Sequence, residues 1–377
     1  MRDIRPESST ILSSDAPESA GEPLRLDKLR FLNALHTMRS AASTTALRGS
    51  IDELRKDLRN PRSVLRRRPR SDSALFSLSY LDEELDQIAA SQTLERAVYY
   101  VSRLIKGVTE VRTTAVSDIN LNRWKEYDDI HTDSLWFVEH RDATGAHSAR
   151  YWGNFIPQIP NQMMRRYTKR GEWVLDPFAG SGTTLIEGQR LGRNAVGIEL
   201  QQNVSRLARR TVASEPNPDG VVARIVSGDS ATINMQTVLR AAGCESVQLA
   251  ILHPPYFDII KFSEDERDLS NSPTVEAFLA QFGRVVENVA SVLDDERFLI
   301  VVIGDKYANG EWVPLGFKTL EAVQQRGFSL KSIVVKNFDD TTGKRAQKEL
   351  WKYRALAGGF FIFKHEYILV FRKTGRR

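Results

Sequence analysis

The sequence predicts an α/β protein with a doubly wound, mostly parallel, seven-stranded Rossmann-like sheet, preceded by a smaller helical N-terminal domain. From about residue 170 onward, short apolar runs alternate with amphipathic segments, which is the pattern of parallel strands joined by helices. Between about residues 26 and 114, apolar residues recur every three or four positions, which predicts helices. The 377 residues are enough for one large and one smaller domain.

Composition limits the class of protein. Hydrophobic residues make up 41% of the chain and charged residues 27%, as in globular proteins. No apolar run approaches the roughly 20 residues that span a bilayer, and the N-terminus has no signal-peptide core. Cys244 is the one cysteine and the six His have no metal-ligand spacing, so a disulfide, a cysteine-rich zinc site and other metal sites are not expected. We expect a cytoplasmic protein without membrane contact.

The chain divides into three predicted parts. Residues 1–25 are rich in Ser, Pro, Glu and Ala, which predicts a disordered tail. Residues 26–130 form the helical domain, interrupted near an arginine cluster by Pro61 and Pro69, and show no internal repeat. Residues 131–377 form the larger domain.

The most informative stretch of the larger domain runs from Glu172 to Leu200. A strand from Trp173 to Leu175 is followed by a Gly/Ser/Thr loop, a helix and a second strand closed by Glu199. Ligands of such sheets lie at the carboxyl ends of the strands, and an acid at the end of the second strand suits ribose hydroxyls. A phosphate site is disfavoured, because no Lys follows Gly182 and Asp176 would repel a pyrophosphate.

The remaining elements continue the alternation. The pattern predicts helices Asn154–Tyr167, Asn203–Ala213, Met235–Ala242, Thr274–Leu293 and Leu315–Arg326, strands Val221–Val226 and Val247–Leu252, and a final edge strand or hairpin before Lys373. Asp229 follows one of these strands. It fits a ligand contact and also fits the N-cap of the next helix.

A second motif, "HPPYFDIIKFS", follows the strand Val247–Leu252. Consecutive prolines form a rigid corner whose carbonyls can accept a hydrogen bond from an amino group. Tyr256 offers a flat face for a base taken out of a duplex. His253 accepts a hydrogen bond only when neutral, and its ordinary pKa near 6.5 predicts that activity falls at lower pH.

The loop "DPFAGSGTT" closely resembles the S-adenosylmethionine loop of the amino-methylating DNA methyltransferases. The resemblance covers about Trp136 to Lys373, with the cofactor loop before the catalytic loop, and leaves the first 130 residues outside. It implies that the acid of the loop faces the amino-acid part of the cofactor, that Asp229 lies at the adenine end, and that "GNFIPQIP" caps the site. The implied cofactor residues are Asp176, Pro177, Phe178, Ala179, Gly180, Ser181, Gly182, Thr183, Thr184, Glu199, Asp229 and Phe155.

The second motif resembles the catalytic loop of the same family, usually DPPY, NPPY or SPPY. The implied catalytic residues are His253, Pro254, Pro255 and Tyr256. In the relatives, the first residue accepts a hydrogen bond from the target amine. His253 departs from that pattern, which leaves adenine and cytosine open as targets.

The resemblance implies methylation of an exocyclic amine of DNA, adenine N6 or cytosine N4, in a restriction-modification or phage-defence setting. DNA contacts are predicted from the basic and aromatic loop Asp339–Ala357 and from the N-terminal arginines, namely Lys344, Arg345, Lys348, Trp351, Lys352, Arg66, Arg67 and Arg68. A restriction or specificity subunit is a further partner class, and no oligomeric state is predicted. Two alternatives stay open: an RNA base-amine methyltransferase, and a catalytically weak DNA-binding subunit with the same fold.

Overall fold

The computed structural model describes residues 23–66, 72–147, 153–308, 310–337 and 348–375. The chain divides into two compact units, Met1–Arg112 with Asn120–Asp128, and Thr113–Ile119 with Asp129–Arg377. The predicted disordered tail lies outside the described residues, except for its last three positions. Within the described ranges, no helix is long and apolar enough to cross a membrane.

The first unit consists of two strands and four helices in its described part, followed by a short 3₁₀ helix. These elements are β1 Leu24–Asp27, α1 Lys28–Arg39, α2 Thr44–Arg59, β2 Ser73–Phe76, α3 Leu78–Ala89, α4 Leu94–Thr109 and the 3₁₀ helix Leu121–Glu126. A polar side chain caps the N-terminus of each of the four α-helices, and these caps are Asp27, Ser43, Ser77 and Thr93. The two strands were not expected from the helical period of the sequence.

The described elements of the first unit repeat one strand-helix-helix arrangement, although the sequence itself shows no internal repeat. α1 and α3 have 12 residues each, and α2 and α4 have 16 each. Equivalent positions lie 50 residues apart: buried Phe31 and Leu35 of α1 correspond to buried Leu81 and Leu85 of α3. The two halves keep the apolar positions and the capping chemistry but few identical residues, and the match is therefore hidden in the sequence.

The second unit is built on an eight-stranded sheet in the described residues, with the strand order β3-β11-β12-β8-β7-β4-β5-β6. Its strands are β3 Leu135–Trp136, β4 Trp173–Asp176, β5 Asn194–Glu199, β6 Ala223–Ser227, β7 Val247–Leu252, β8 Leu293–Ile303, β11 Phe328–Asn337 and β12 His365–Lys373, and β9 Lys306–Ala308 and β10 Glu311–Val313 form a separate hairpin. Its α-helices are α5 Gln158–Tyr167, α6 Thr183–Leu191, α7 Gln202–Ala213, α8 Met235–Ala242, α9 Val275–Ala290, α10 Leu315–Gln324 and α11 Lys348–Gly358.

Within this sheet, β12 is the strand that runs antiparallel to both of its neighbours, β8 and β11. The doubly wound, mostly parallel fold is therefore confirmed, with corrections. The sheet has one strand more than the seven expected, because the two-residue β3 pairs with β11. The C-terminal segment is an interior strand rather than an edge. Its run of buried residues from Ile368 to Phe371 fits a strand covered on both faces.

Two apolar cores lie on the two faces of the sheet. On β7, Ala250 and Leu252 belong to one core, whereas Leu249 and Ile251 belong to the other. Because both faces of β7 are buried, its period-two pattern is hidden in a continuous apolar run. The parallel strands β4, β5, β6 and β7 end at the same edge of the sheet, where the predicted site residues are located.

Candidate active site

A cleft lies at the carboxyl edge of the sheet, and its empty volume, with the open mouth included, is about 780 Å³. Of the predicted site residues, it is lined by Phe155, Pro177, Phe178, Ala179, Gly180, Glu199, Asp229, His253, Pro254 and Pro255. The cofactor loop and the first part of the catalytic motif thus meet in one cleft. Asp176, Ser181, Gly182, Thr183, Thr184 and Tyr256 are not among its lining residues.

The shape of the loop between β4 and α6 depends on Gly182, the N-cap of α6. Its φ of 92° is in the left-handed region, and a Cβ placed there would lie 2.7 Å from Val212 Cγ2. Across the loop, the amide of Ala179 donates to the Ile198 carbonyl at 2.9 Å. The loop is therefore fastened to β5, and its first half, Pro177 to Gly180, lines the cleft.

Asp176 is buried under this loop and organises it. Its Oδ1 accepts from the Phe178 amide at 2.9 Å, and its Oδ2 accepts from the Thr184 hydroxyl. Burial raises the pKa of Asp176 to about 6, although both hydrogen bonds lower it. Each carboxyl oxygen thus accepts one hydrogen bond from the loop itself, and Asp176 does not line the cleft. Its contact with the cofactor stays a prediction.

Glu199 ends β5 and lines the cleft. Its Oε2 accepts from the Gly180 amide at 3.0 Å and its Oε1 from the Gln201 amide at 2.9 Å. Burial raises the pKa of Glu199 to about 7, with smaller upward contributions from Asp176 and Asp268. Each carboxylate oxygen retains a lone pair beside its backbone bond, so the group can accept further hydrogen bonds from a ligand.

The segment before α5 covers one side of the cleft. The predicted helix Asn154–Tyr167 begins only at Gln158, after Pro157, and the preceding residues Gly153 to Phe155 line the cleft instead. Asn154 donates to the Ser181 hydroxyl, and Arg141 donates to the Phe155 carbonyl at 2.8 Å. Proline is tolerated at the start of a helix but not in its interior. A helix that began at Asn154 would place Pro157 and Pro160 in its interior, so the helix begins later, at Gln158.

Asp229 lies in a turn after β6. It accepts from the Ala231 amide and the Thr232 hydroxyl, both at 2.9 Å, while the N-cap of α8 is Asn234. The helix-cap alternative is therefore wrong for Asp229, which caps a turn and lines the cleft.

His253 follows β7 and is half-buried. Its ring lies 4.9 Å from the Phe155 ring centroid, and its Nε2 lies 3.2 Å from the Tyr256 hydroxyl. Burial is the main cause that lowers the pKa of His253 to about 4, and Lys336 and Arg141 lower it further, whereas Glu366 raises it. The imidazole is therefore neutral at physiological pH, and its pKa is lower than the ordinary value near 6.5 used in the sequence analysis.

The Tyr256 hydroxyl donates to Glu366 Oε2 at 2.7 Å. Burial raises the pKa of Tyr256 well above its ordinary value, and the Glu366 charge raises it further. One edge of the ring lies against Gly304, where an added Cβ would be 3.1 Å from Tyr256 Cε2. Tyr256 is thus held against β8 and β12. Its predicted role as a stacking surface requires its ring face to become accessible from the cleft.

The wall of the cleft around Asp268 was not predicted from the sequence. Its members, together with the other unpredicted lining residues, are Gly153, Asn154, Leu200, Gln201, Gly228, Ser230, Phe262, Arg267, Asp268, Leu269 and Val285. Buried Asp268 shapes this wall by accepting from the Ser263 and Ser270 hydroxyls, both at 2.7 Å. An available sequence signal was the Asp-x-Ser spacing of Asp268 and Ser270, which is typical of a capped turn.

The predicted DNA-contacting residues are only partly described. Arg67, Arg68, Lys344 and Arg345 lie outside the described residues, and Arg66 lies in a turn. The predicted loop Asp339–Ala357 is wrong in its second half, which is helix α11. Lys348 begins α11, and this helix also carries Lys352 and Trp351, whose ring lies 5.4 Å from the Arg354 guanidinium carbon. In the N-terminal cluster, Arg55 and Arg59 pair with Asp86 and Asp82, which reduces the charge offered to a partner.

Away from the cleft, Asp142, His147 and Glu187 bring possible metal-ligand atoms within 4.8 Å of one another. The Arg190 guanidinium lies among them, 3.1 Å from Asp142 and 3.3 Å from Glu187. Arg190 pairs with both carboxylates and also with Glu215, so the cluster is part of an ion-pair network around this guanidinium.

Comparison with known proteins agrees with the resemblance. A DNA methylase family model, for N6 and N4 methylation, matches residues 84–210 and 247–377. The match extends upstream of Trp136 into the first unit, so the earlier limit of the resemblance is wrong. A second model, described as an RMKL-like methyltransferase domain, matches residues 161–263.

Individual relatives are similar over shorter stretches. The Type II methyltransferase M2.DpnII of Streptococcus pneumoniae is 33% identical over 100 residues, which are 25% of this chain and 34% of that protein. M.MjaII of Methanocaldococcus jannaschii is 42% identical over 50 residues, 13% of this chain and 9% of that protein. The matched stretches thus cover about a third or less of these relatives. The structure of TrmN from Thermus thermophilus is 14% identical, covers 58% of this chain and 49% of that one, and has a TM-score of 0.37.

The family model accounts for more than half of the 377 residues, and its two matched segments contain both the cofactor loop and the catalytic motif. The chain therefore belongs to the N6/N4 DNA methylase family.

Proposed function

We propose that this protein transfers a methyl group from S-adenosylmethionine to an exocyclic amine of a DNA base, adenine N6 or cytosine N4. The observation that carries the proposal is the single cleft in which Gly180, Glu199 and the His253-Pro254-Pro255 corner lie together. Such a cleft at the carboxyl ends of parallel strands is where ligands of this fold bind.

The residues of the cleft fit the cofactor. Glu199 has acceptor capacity for ribose hydroxyls, and Asp229 lies at the end of the neighbouring strand β6, toward the proposed adenine position. Bound S-adenosylmethionine supplies an electrophilic methyl group on its sulfonium. Asp176 contributes indirectly in this proposal, by holding the loop that the cofactor touches.

Catalysis in this proposal consists of orienting the target amine. Neutral His253 accepts one N–H hydrogen bond, and the Pro254 carbonyl accepts another, so the nitrogen lone pair is directed at the methyl group. The low pKa of His253 removes the earlier expectation that activity falls near pH 6.5. His253 remains an acceptor down to about its pKa of 4, and a flat turnover from pH 5 to 8 agrees with its proposed role.

The test is expression in a methylation-free host, followed by sequencing of the DNA with detection of both modified bases. Modified adenine or cytosine with wild type, and its loss in His253→Ala, supports the proposal. Calorimetry with S-adenosylmethionine separates the outcomes further. Cofactor binding without methylation of DNA or RNA identifies the catalytically weak subunit, and methylation of RNA alone identifies the RNA enzyme. The RNA assay is included because an RNA base-amine methyltransferase is one of the two open alternatives.

The finer assignments are proposals of the same kind. The first unit serves as a DNA-recognition or partner-binding arm, and the protein acts in the cytoplasm beside a restriction or specificity partner. Charge reversal at Lys352 and Arg354 is expected to weaken DNA binding and to reduce its salt dependence without affecting the cofactor.

A further inference from the structure

Four side chains form a continuous polar chain behind the cleft, which we call the relay: Lys336, Glu366, Tyr256 and His253. Lys336 donates to Glu366 Oε1 at 2.9 Å, Tyr256 donates to Glu366 Oε2 at 2.7 Å, and His253 Nε2 lies 3.2 Å from the Tyr256 hydroxyl. The residues come from β11, β12 and the loop after β7, and Lys336 and Glu366 are directly paired in the antiparallel register. The chain ends at the cleft residue His253.

The direction of the protons along this chain can be worked out. A Tyr hydroxyl has one proton, and here that proton is donated to the Glu366 carboxylate. The hydroxyl oxygen can therefore only accept from His253, which requires that Nε2 carry the imidazole proton. A neutral imidazole has one N–H, so Nδ1 retains its lone pair and is the acceptor nitrogen.

Glu366 keeps its charge although it is only 7% exposed. Burial alone would raise the pKa of Glu366, but the Lys336 ammonium and two hydrogen bonds lower it overall. A buried ion pair contributes little net stability compared with apolar packing, so stability alone is a weak reason for placing one behind the catalytic motif.

We propose that Glu366, held by Lys336, is a positioning residue that acts through the Tyr256 hydroxyl to fix the Nε2–H tautomer of His253 and so reserves Nδ1 for the target amine. The proposal rests on the function proposed above and deepens it. An Asn or Asp at position 253 would offer an acceptor oxygen without tautomer control. The chain thus explains how His can occupy a position that is Asp, Asn or Ser in the relatives.

The second unit contains a matched arrangement for use as a control. The Tyr367 hydroxyl donates to Asp305 Oδ2 at 3.1 Å and lies 3.2 Å from His365 Nε2. It has the same order of acid, Tyr and His, but neither Tyr367 nor His365 lines the cleft. Tyr367→Phe therefore removes a comparable hydroxyl from a comparable chain.

The first test reads the tautomer directly and does not depend on activity. The full chain is labelled with ¹⁵N-histidine, the ring nitrogens are followed by NMR, and the His253 signals are assigned by their loss in His253→Asn. We expect protonated Nε2 and unprotonated Nδ1 in wild type and in Tyr367→Phe, and a mixture of tautomers in Tyr256→Phe. A wild-type Nδ1–H tautomer, or an unchanged tautomer in Tyr256→Phe, would overturn the proposal.

The second test uses turnover. The groups that face His253 are Tyr256, Glu366, Lys336 and Arg141, so Tyr256→Phe changes one of them while keeping the ring. We expect Tyr256→Phe to lower turnover by up to about tenfold, the value of one hydrogen bond, with little change in cofactor KM. In the His253→Asn background the same change should have less than about a twofold effect. Equal losses in both backgrounds would contradict the relay and leave the methyltransferase assignment intact.

If His253→Asn has no measurable turnover, the NMR result decides the matter. A charge-free pair, Lys336→Met with Glu366→Leu, provides the second variant, because it removes both buried charges together and takes away the acceptor of the Tyr256 hydroxyl. The relay predicts tautomer mixing in this variant. Retention of the pure Nε2–H tautomer would assign Glu366 to structure only. An absence of methylation on any nucleic acid would reject the proposed function without changing the NMR result.

Discussion

The ends of β4 and β5 present two acids in neighbouring places with different surroundings. Asp176 and Glu199 close paired parallel strands, both are buried, and burial raises the pKa of each. Asp176 uses its oxygens for the Phe178 amide and the Thr184 hydroxyl under the loop. Glu199 accepts hydrogen bonds from two backbone amides, and it also lines the cleft.

The comparison teaches that two acids at neighbouring strand ends can differ in access, since Asp176 is enclosed by the loop and Glu199 lines the cleft. Position at a strand end does not distinguish the two, since both acids occupy such positions. The distinction depends on access to the cleft, because each acid accepts one hydrogen bond on each oxygen but only Glu199 of the two is a lining residue. Loss of each acid should therefore be measured in two ways, as folding stability and as cofactor affinity.

The largest effect is expected from Asp176→Ala. It leaves the Phe178 amide and the buried Thr184 hydroxyl without their acceptor, at about 1 to 3 kcal/mol for each group, so the free energy of unfolding should fall by about 2 to 6 kcal/mol. Asp176→Asn, which keeps one acceptor oxygen, should lose less. Urea unfolding measures both variants. Full stability in Asp176→Ala with lost cofactor affinity would instead make Asp176 a ligand contact.

Glu199→Ala should act mainly on affinity. The lost hydrogen bonds to a ribose correspond to about 1.5 to 3 kcal/mol, or about ten- to a hundredfold in the Kd for S-adenosylmethionine. Calorimetry on the wild type, Glu199→Ala and Asp176→Asn gives the comparison. If Asp176→Asn weakens binding more than Glu199→Ala does, the assigned roles are reversed.

The pH dependence follows from the raised pKa of Glu199, about 7 against an ordinary 4.5. A ribose favours the ionised carboxylate, so cofactor affinity should fall up to about tenfold per pH unit below 7 and level off above it.

The same pKa shift affects folding stability. Between the unfolded-state pKa of 4.5 and the folded-state pKa of about 7, the folded state binds more protons at Glu199 than the unfolded state does. Glu199 therefore favours folding below pH 4.5, and that contribution is lost as pH rises to 7. Both trends should be absent in Glu199→Gln, and a pH-independent Kd in wild type would argue against ribose contact.

The smallest effect is expected from Thr184→Val. This near-isosteric change removes the hydroxyl that donates to Asp176 and should lower the free energy of unfolding by about 1 kcal/mol. Thr184→Ser keeps the hydroxyl and serves as the control. Wild-type stability in Thr184→Val would show that the Thr184 bond contributes nothing to the loop.

Local signals in the sequence predicted much of the second unit. The alternation of apolar runs predicted the parallel sheet, and the strand ends predicted that Gly180, Glu199 and His253 would meet. The relay behind His253 could not be predicted in this way. Glu366 lies 110 residues from Tyr256, and only the β11–β12 register brings Lys336 beside it. Such long-range pairing follows from the order of strands in the sheet, which no local pattern encodes.

Other differences have local causes. The interior position of β12 was missed because an alternating pattern at the end of a chain also fits an edge strand. The second half of the basic loop was missed because its aromatics and lysines suggested a nucleic-acid surface more strongly than the helix α11 that they form. In the first unit, the helical period concealed two four-residue strands.

The repeat of the first unit has a consequence for how it could have arisen. β1 pairs with β2 so that Arg25 faces Leu75, its own equivalent 50 residues later, and Leu24 faces Phe76. Pairing of equivalent residues in antiparallel strands is the register that a local two-fold axis produces. A single strand-helix-helix half would therefore leave a strand edge that is complementary to itself, and two copies could associate as a symmetric homodimer. Gene duplication and fusion would convert such a homodimer into the present single-chain unit.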